Sequence, residues 1–132
     1  MLKKAYENVK KHGDRLARAD SLIDWEAFRP IITPMYNNKT SRGGRPNVDP
    51  VVMVKLLVLQ QWYGLSDPEL ERQVDDRLSF QRFLGLPEKA PDYSTVWQFR
   101  ERLADTDKDR AVWAEMQRQL DEKGLKVRKG VV

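Results

Sequence analysis

Residues 91–103, PDYSTVWQFRERL, determine which kind of domain this sequence encodes. Val96, Phe99 and Leu103 recur at intervals of three and four, which predicts a helix with one apolar face. Asp92 or Ser94 can cap its first turn, because each has a side-chain oxygen that accepts from backbone amides. The opposite side of the predicted helix contains Ser94, Trp97, Gln98 and Glu101. Thr95 and Arg102 fall on one flank, with Arg100 near the edge of the core.

Two shorter helices are predicted just before this segment. Ser66 and Glu69 form a capping box around Pro68 and begin a helix over residues 66–76. A second helix is predicted over 79–84, and the third covers 94–104. Three short helices in a row, the last with an inward apolar stripe and an outward polar face, are typical of a helix-turn-helix unit. Any small helical bundle produces the same periodicity, so simple packing is the alternative interpretation.

The polar side of the third helix has the chemistry to contact DNA. Arginine and glutamine match base edges in the major groove, serine and threonine bind phosphate, and helix N-terminal amides add affinity for phosphate. Arg100 could instead support the helix through a phosphate or an internal acid. Trp97 could stack on DNA or pack against the last helix, and packing is favoured because large aromatic side chains are mostly buried. The predicted contacts from this helix are Ser94, Thr95, Gln98, Arg100 and Arg102.

The rest of the chain also has helical signals. A marginal helix covers residues 2–12, and another begins near Ser21 or Asp24, starting or kinking at Pro30. Residues 50–63 are apolar nearly all round, with Asp49 as the N-cap and Gly64 just past the end, which predicts a central buried helix. A last helix covers 107–123. The predicted core residues outside 91–103 include Ile23, Phe28, Ile31, Ile32, Leu70, Val74, Leu78, Phe80, Phe83, Leu84, Val112, Met116 and Leu120.

The sequence therefore predicts an all-α helical bundle that contains a helix-turn-helix unit. Residues 1–20 form a basic N-terminal helical segment, and residues 21–123 form the domain, interrupted by a linker over 37–48. Residues 124–132 form a basic tail in which LKVRKGVV alternates like the start of a strand.

Positive charge is concentrated in three segments. The net charge is +4, but residues 1–20 hold six Lys/Arg against three Asp/Glu, and the linker and the tail hold no acid. This distribution suits a polyanion, because phosphate neutralisation releases counterions. In SRGGRPN, residues 41–47, Arg42 and Arg45 resemble short arms that enter A·T-rich minor grooves. A solvated linker is the alternative.

Several classes of function have no sequence signature here. The chain has no cysteine and a single histidine, His12, so thiolate chemistry and a histidine-based metal site are excluded. Motifs of nucleotide-binding loops, serine hydrolases and zinc proteases are absent. The longest apolar run, residues 51–59, is too short to span a bilayer, and Met1 begins no signal peptide. We therefore expect no catalytic residue, metal, cofactor, membrane or small-molecule substrate for this chain, and a cytoplasmic, nucleoid-associated location.

The sequence resembles the N-terminal domain of bacterial insertion-sequence transposases of the insertion-sequence-five group. The resemblance covers residues 16–132. Its motifs are Gly44-Arg45-Pro46, Asp49-Pro50, Ser66-Asp67, the turn at 83–86, and Pro91-Asp92 through Phe99-Arg100 to Leu103. It implies a helical domain that binds double-stranded DNA at the terminal inverted repeats of a mobile element.

The resemblance also implies a catalytic domain after the helical one. That domain has an RNase-H-like fold, and its Asp-Asp-Glu set holds two Mg²⁺ ions for strand cleavage and joining. Its first aspartate would follow Val132, so no catalytic residue can be assigned here, and Mg²⁺ is expected only in that domain. We therefore expect the DNA-binding part of a transposase, as a natural truncation or a fragment, that cannot transpose DNA alone.

Two alternatives remain open at the level of sequence. One is a helical protein–protein module that mediates transposase homodimerisation or sequesters a full-length partner, which outward-facing Trp97 or Trp113 would favour. The other is a free-standing regulator, a repressor derived from a decayed element, which shares the DNA chemistry and differs in its target.

Overall fold

A computed structural model describes residues 15–36 and 48–125 of the chain. These residues contain seven α-helices, two short 3₁₀ turns and no strand, which confirms the predicted all-α helical bundle. The predicted helix over 2–12, most of the linker and the start of a strand in the tail lie outside the described residues. The helices are α1 Arg15–Leu22, α2 Arg29–Ile32, α3 Pro50–Tyr63, α4 Asp67–Asp76, α5 Leu78–Phe83, α6 Tyr93–Asp105 and α7 Lys108–Glu122, and the 3₁₀ turns are Trp25–Phe28 and Thr33–Tyr36.

Helix α3 is the central element of the core. The Asp49 carboxylate accepts from the amide of Val51 at 2.8 Å, and Pro50 occupies the first turn, where a missing amide donor costs nothing. The helix ends at Gly64, whose φ of 65° is left-handed and suits glycine. Its buried residues surround the helix, as predicted, and are Met53, Val54, Leu56, Leu57, Val58, Leu59 and Trp62.

Of the two predicted starts of the second helical segment, Asp24 is confirmed and Ser21 is wrong. Helix α1 already ends at Leu22, and Asp24 caps the 3₁₀ turn Trp25–Phe28. A helix already covers Ser21 because Leu16 and Ala19 lie three apart on one face and are buried in the common core. Helix α1 therefore crosses the domain boundary that was expected after residue 20. Pro30 lies in the first turn of α2, so it begins a helix and does not kink one.

Lys55 ties two peripheral helices to α3. Its ammonium donates to the carbonyl of Phe83 at 2.8 Å and lies 3.0 Å from a carboxylate oxygen of Asp20. The Lys55 side chain is only 12% exposed, and its ammonium also lies over the rings of Trp25 and Phe83. This single cation connects α1 and the end of α5 to the central helix.

Only one of the two hydrogen bonds of the predicted capping box is present at the start of α4. The Ser66 hydroxyl accepts from the amide of Glu69 at 3.3 Å, as predicted. The Glu69 carboxylate, however, binds Arg72 and Gln73 one turn further on and does not reach back to Ser66. A charge-assisted contact with a guanidinium is stronger than one with a neutral amide, which accounts for the difference.

Helix α6 rests on a platform made by three other helices. It packs mainly against α4, α3 and α7, while α5 packs mainly against α1 and α4. Val96, Phe99 and Leu103 are buried, which confirms the predicted stripe. The other predicted core residues are also buried, except for Ile31 and Leu78, which are half-buried. The outward side of α6 is thus held in a fixed orientation.

Gln119 is a buried polar residue of α7 that sequence periodicity does not identify. It is 3% exposed, and its side-chain oxygen accepts from the amide of Asp24 at 2.7 Å. Its amide nitrogen donates to the carbonyl of Asp24 at 3.0 Å and to Glu115 at 2.8 Å. Gln119 therefore binds both backbone groups of the residue that caps the first 3₁₀ turn.

We expect Gln119→Ala to lower the free energy of unfolding by about 1–3 kcal/mol, because it leaves partly buried backbone groups without their partner. Urea denaturation of parent and variant measures this difference. Gln117→Ala is the matched control, since Gln117 is exposed on the same helix and bonds only with Asp121 in the described residues. Equal losses in the two variants would contradict the role assigned to Gln119.

Candidate functional site

The outward side of α6 is a continuous solvent-exposed surface. Ser94, Trp97, Gln98 and Glu101 are all exposed, as their helical spacing predicts. The packing favoured for Trp97 is wrong, because the Trp97 side chain is 50% exposed. Tyr93 lies one turn before Trp97 and is 51% exposed. These two exposed aromatic side chains are called the aromatic pair of α6. Val96, Phe99 and Leu103 form the core side of this helix, and Trp97 lies outside that stripe.

The N-terminus of α6 is occupied by carboxylates of the protein itself. Asp92 is the N-cap, and its carboxylate accepts from the amide of Thr95 at 2.9 Å and from the hydroxyls of Ser94 and Thr95. The amide of Tyr93 donates to the Glu71 carboxylate at 2.7 Å. The amides of Tyr93 and Thr95 therefore already donate to carboxylates of the protein. These two amides do not bind phosphate as the sequence predicted for the start of this helix.

Arg100 makes an internal ion pair. Its two Nη atoms each lie 2.7 Å from one oxygen of the Asp67 carboxylate, and Gln60 donates to the same carboxylate at 2.6 Å. The Arg100 side chain is 38% exposed and that of Asp67 only 15%. Arg100 therefore supports the helix through an internal acid, which is one of the alternatives that the sequence left open. The spacing of Asp67 in the sequence does not show which distant residue it meets.

Arg102 anchors the other flank of α6. Its Nη2 donates to the carbonyl of Met35 at 2.7 Å, and its guanidinium lies 5.5 Å from the ring centroid of Tyr36. Tyr36 also packs against Phe99, with ring centroids 6.1 Å apart. Burial raises the pKa of Tyr36 to about 12, so its phenol stays neutral. Tyr36, the last described residue before 37–47, therefore lies beside α6.

The charge of the described residues differs in sign from the charge of the rest of the chain. The sequence has 24 Lys/Arg and 20 Asp/Glu, of which 14 and 18 lie in the described residues. The described residues therefore carry a net charge of −4, and the remaining segments carry +8. Arg42 and Arg45 lie in one of those segments, outside the described residues. The predicted site residues that the structure brings together on α6 are Ser94, Thr95, Gln98, Arg100 and Arg102.

The ion pair with Arg100 lowers the pKa of Asp67, chiefly through the hydrogen bond from that guanidinium, and burial opposes the shift in part. A carboxylate with a lowered folded-state pKa stabilises the fold above its unfolded pKa of about 3.9. That stability is lost as the pH falls through the lower folded-state pKa. The pair therefore contributes at neutral pH and not in strong acid.

We expect Asp67→Asn to be less stable than the parent at pH 7 and to approach it as the pH falls below about 4, because the parent then also loses this charge. Urea denaturation at a series of pH values measures the difference. Asp76→Asn is the control, since Asp76 is an exposed carboxylate on the same helix. A difference between parent and Asp67→Asn that stays constant with pH would contradict the ion pair.

The described residues also bear on two other classes of function. They contain no group of three or more histidine, cysteine, aspartate or glutamate residues placed to hold a metal ion. No helix among them combines the length and the apolar character needed to cross a membrane.

Comparison with known proteins connects the chain with transposition. Residues 4–102, about three quarters of the chain, match the family described as Transposase domain (DUF772). No solved structure matches the chain. The family match covers α1 to α5 and most of α6, including the exposed surface and the Asp67–Arg100 pair. The chain thus belongs to the transposase domain (DUF772) family.

Proposed function

We propose that this chain is the DNA-binding part of a transposase and binds double-stranded DNA at the terminal inverted repeats of a mobile element. Helix α6 enters the major groove, with α4 as the supporting helix of a helix-turn-helix unit. The basic segments supply the contacts with phosphate. The observation that carries this proposal is the exposed polar surface of a well-packed helix, beside the start of a basic segment, in a chain of a transposase family.

The exposed side of α6 has the groups that distinguish base pairs. Gln98 can pair with the N6 and N7 atoms of adenine, and Glu101 can accept from the N4 amine of cytosine. Ser94 can bond with bases or phosphate, and Trp97 can make apolar contacts with thymine methyl groups or sugars. Thr95 and Arg102 lie on the flank nearest the backbone of a bound duplex. Helix α6 therefore contributes mainly sequence selectivity.

Affinity must come mainly from outside α6. Arg100 is engaged by Asp67, and the outward side also holds the acids Glu101 and Asp105. The segment 37–47, with Lys39, Arg42 and Arg45, follows in sequence from Tyr36, which lies at the flank of α6. The segment joins Tyr36 to Val48, so Arg42 at its middle can lie up to roughly 20 Å from either end, which is enough to reach phosphates beside the groove that α6 occupies. Helix α6 therefore makes the base contacts, and the basic segments make most of the phosphate contacts.

Binding to a pool of random duplexes, followed by sequencing of the retained DNA, tests the proposal. We expect one preferred sequence, whose preference changes in Gln98→Ala at one or two positions. Arg102→Ala should weaken binding about equally for all sequences. Retention without any sequence preference, or no retention at low salt, would contradict specific binding by this domain.

A second candidate function is favoured by the aromatic pair of α6. Tyr93 and Trp97 are each about half exposed, and exposed aromatic side chains are enriched at protein–protein interfaces. A protein–protein module could form a homodimer or bind a full-length transposase as a regulator. Sedimentation of the chain without DNA distinguishes the two candidates. Concentration-dependent association that Trp97→Ala abolishes, together with no DNA binding, would select the protein–protein function.

A further inference from the structure

We infer that α4 positions the DNA-facing helix through Asp67 and Glu71, and that Arg100 is a positioning residue and not a DNA contact. The inference rests on the proposed function where it concerns DNA. It starts from an observation about two of the carboxylates of α4, those of Asp67 and Glu71, which lie one turn apart and both bind α6. No local pattern in residues 66–76 shows this role.

The ion pair between Arg100 and Asp67 is too well satisfied to be given up for a phosphate. It is bidentate, with both Nη–O distances at 2.7 Å, and Gln60 adds a bond to each partner. If Arg100 turned towards DNA, the mostly buried Asp67 carboxylate would keep only Gln60. Leaving a carboxylate without its counter-ion in a partly buried place is costly, so the pair should remain intact in the complex.

Glu71 holds the same helix at its start. Its carboxylate accepts from the amide of Tyr93, the first residue of α6, at 2.7 Å. Tyr93 and Arg100 are two turns apart, which corresponds to about 10 Å along the helix. Two charged contacts at this separation fix both the position of α6 along its axis and its rotation about that axis.

The rotation of α6 decides which side chains face DNA. Ser94 and Gln98 lie between the two fixed points and are exposed. Base contacts require hydrogen-bond geometry within a few tenths of an ångström, so a small rotation of α6 disrupts them. Removal of either α4 carboxylate should therefore weaken DNA binding, although Asp67 and Glu71 carry the wrong charge to touch DNA themselves.

A double-mutant cycle tests the role of Arg100. Arg100→Ala, Asp67→Ala and the double variant are titrated with the selected duplex at several salt concentrations. We expect each single variant to bind roughly tenfold more weakly, the double variant to bind no more weakly than the singles, and the salt slope to stay unchanged. A further loss from Arg100→Ala in the Asp67→Ala background, with a salt slope reduced by about one, would show a phosphate contact and overturn the inference.

Conservative variants separate positioning from unfolding. Arg100→Lys and Asp67→Asn replace the alanine variants if circular dichroism shows that those lose helix. Arg72→Ala is the matched control, because Arg72 pairs with Glu69 within α4 and contacts α6 in none of the described bonds. Arg72→Ala should bind as the parent does. If Arg72→Ala weakens DNA binding as much as Arg100→Ala does, the effect depends only on net charge and the inference is overturned.

Measurements without DNA keep the inference testable even if the proposed function fails. Urea denaturation of the same four proteins should give a non-zero coupling between Arg100 and Asp67. Amide hydrogen exchange at Tyr93 should accelerate roughly tenfold in Glu71→Ala and recover in Glu71→Gln, whose carbonyl oxygen also accepts. Zero coupling together with unchanged exchange at Tyr93 would overturn the inference. An absence of DNA binding by the parent would overturn only the proposed function.

Discussion

Phe99→Ala is expected to lower the free energy of unfolding by about 3–5 kcal/mol, because it removes a large buried side chain and leaves a cavity. Phe99 is 3% exposed and packs against Tyr36, at the point where α6 meets the second 3₁₀ turn. A domain of this size is stable by about 5–15 kcal/mol, so the substitution removes about a fifth of the stability or more. Urea denaturation measures the loss.

Gln98→Ala is the matched control for Phe99→Ala. Gln98 is the preceding residue and faces the opposite side of the helix, where it is exposed. We expect its substitution to change the stability by less than about 0.5 kcal/mol. In the proposed complex it should nevertheless weaken binding to the preferred duplex by roughly 10–100-fold, as the loss of a bidentate base contact does. A large loss of stability in Gln98→Ala would contradict the orientation of α6.

Local sequence signals predict the elements that local chemistry determines. The caps of α3 depend on Asp49, Pro50 and Gly64, which lie next to the helix ends that they define. The buried stripe of α6 follows from spacing alone, because a helix places residues three and four apart on one face. These parts of the fold and the exposed surface of the candidate site could therefore be predicted from the sequence.

Contacts between distant residues could not be predicted in the same way. Gln119 meets Asp24 across 95 positions, and Arg100 meets Asp67 across 33. Nothing in the spacing of either residue identifies its partner. The general tendency of tryptophan to be buried also gives the wrong prediction at Trp97, which is half exposed. The exposed aromatic pair and the α4 carboxylates therefore become visible only in the packed structure.

The double variant Arg42→Ala/Arg45→Ala is expected to bind DNA at least roughly tenfold more weakly than the parent, because each arginine contributes a charge-assisted contact with phosphate. The described residues have a net charge of −4, so they do not attract a polyanion by themselves. The logarithm of the binding constant should depend less steeply on the logarithm of the salt concentration, by about two, since each lost phosphate contact changes the slope by roughly 0.9. Fluorescence anisotropy titrations from about 50 to 200 mM salt measure both changes.

The matched control is Arg72→Ala/Arg110→Ala, which removes the same charge from the described residues. Arg72 pairs with Glu69 and Arg110 with Asp107, so each already has an acidic partner on its own helix or beside it. We expect this control to keep the parent's salt slope, whereas the Arg42/Arg45 variant does not. Equal slopes for the two double variants would mean that only net charge matters, and the segment 37–47 would then have no direct role in binding. A loss confined to the Arg42/Arg45 variant would assign the phosphate contacts to the segment that starts beside α6.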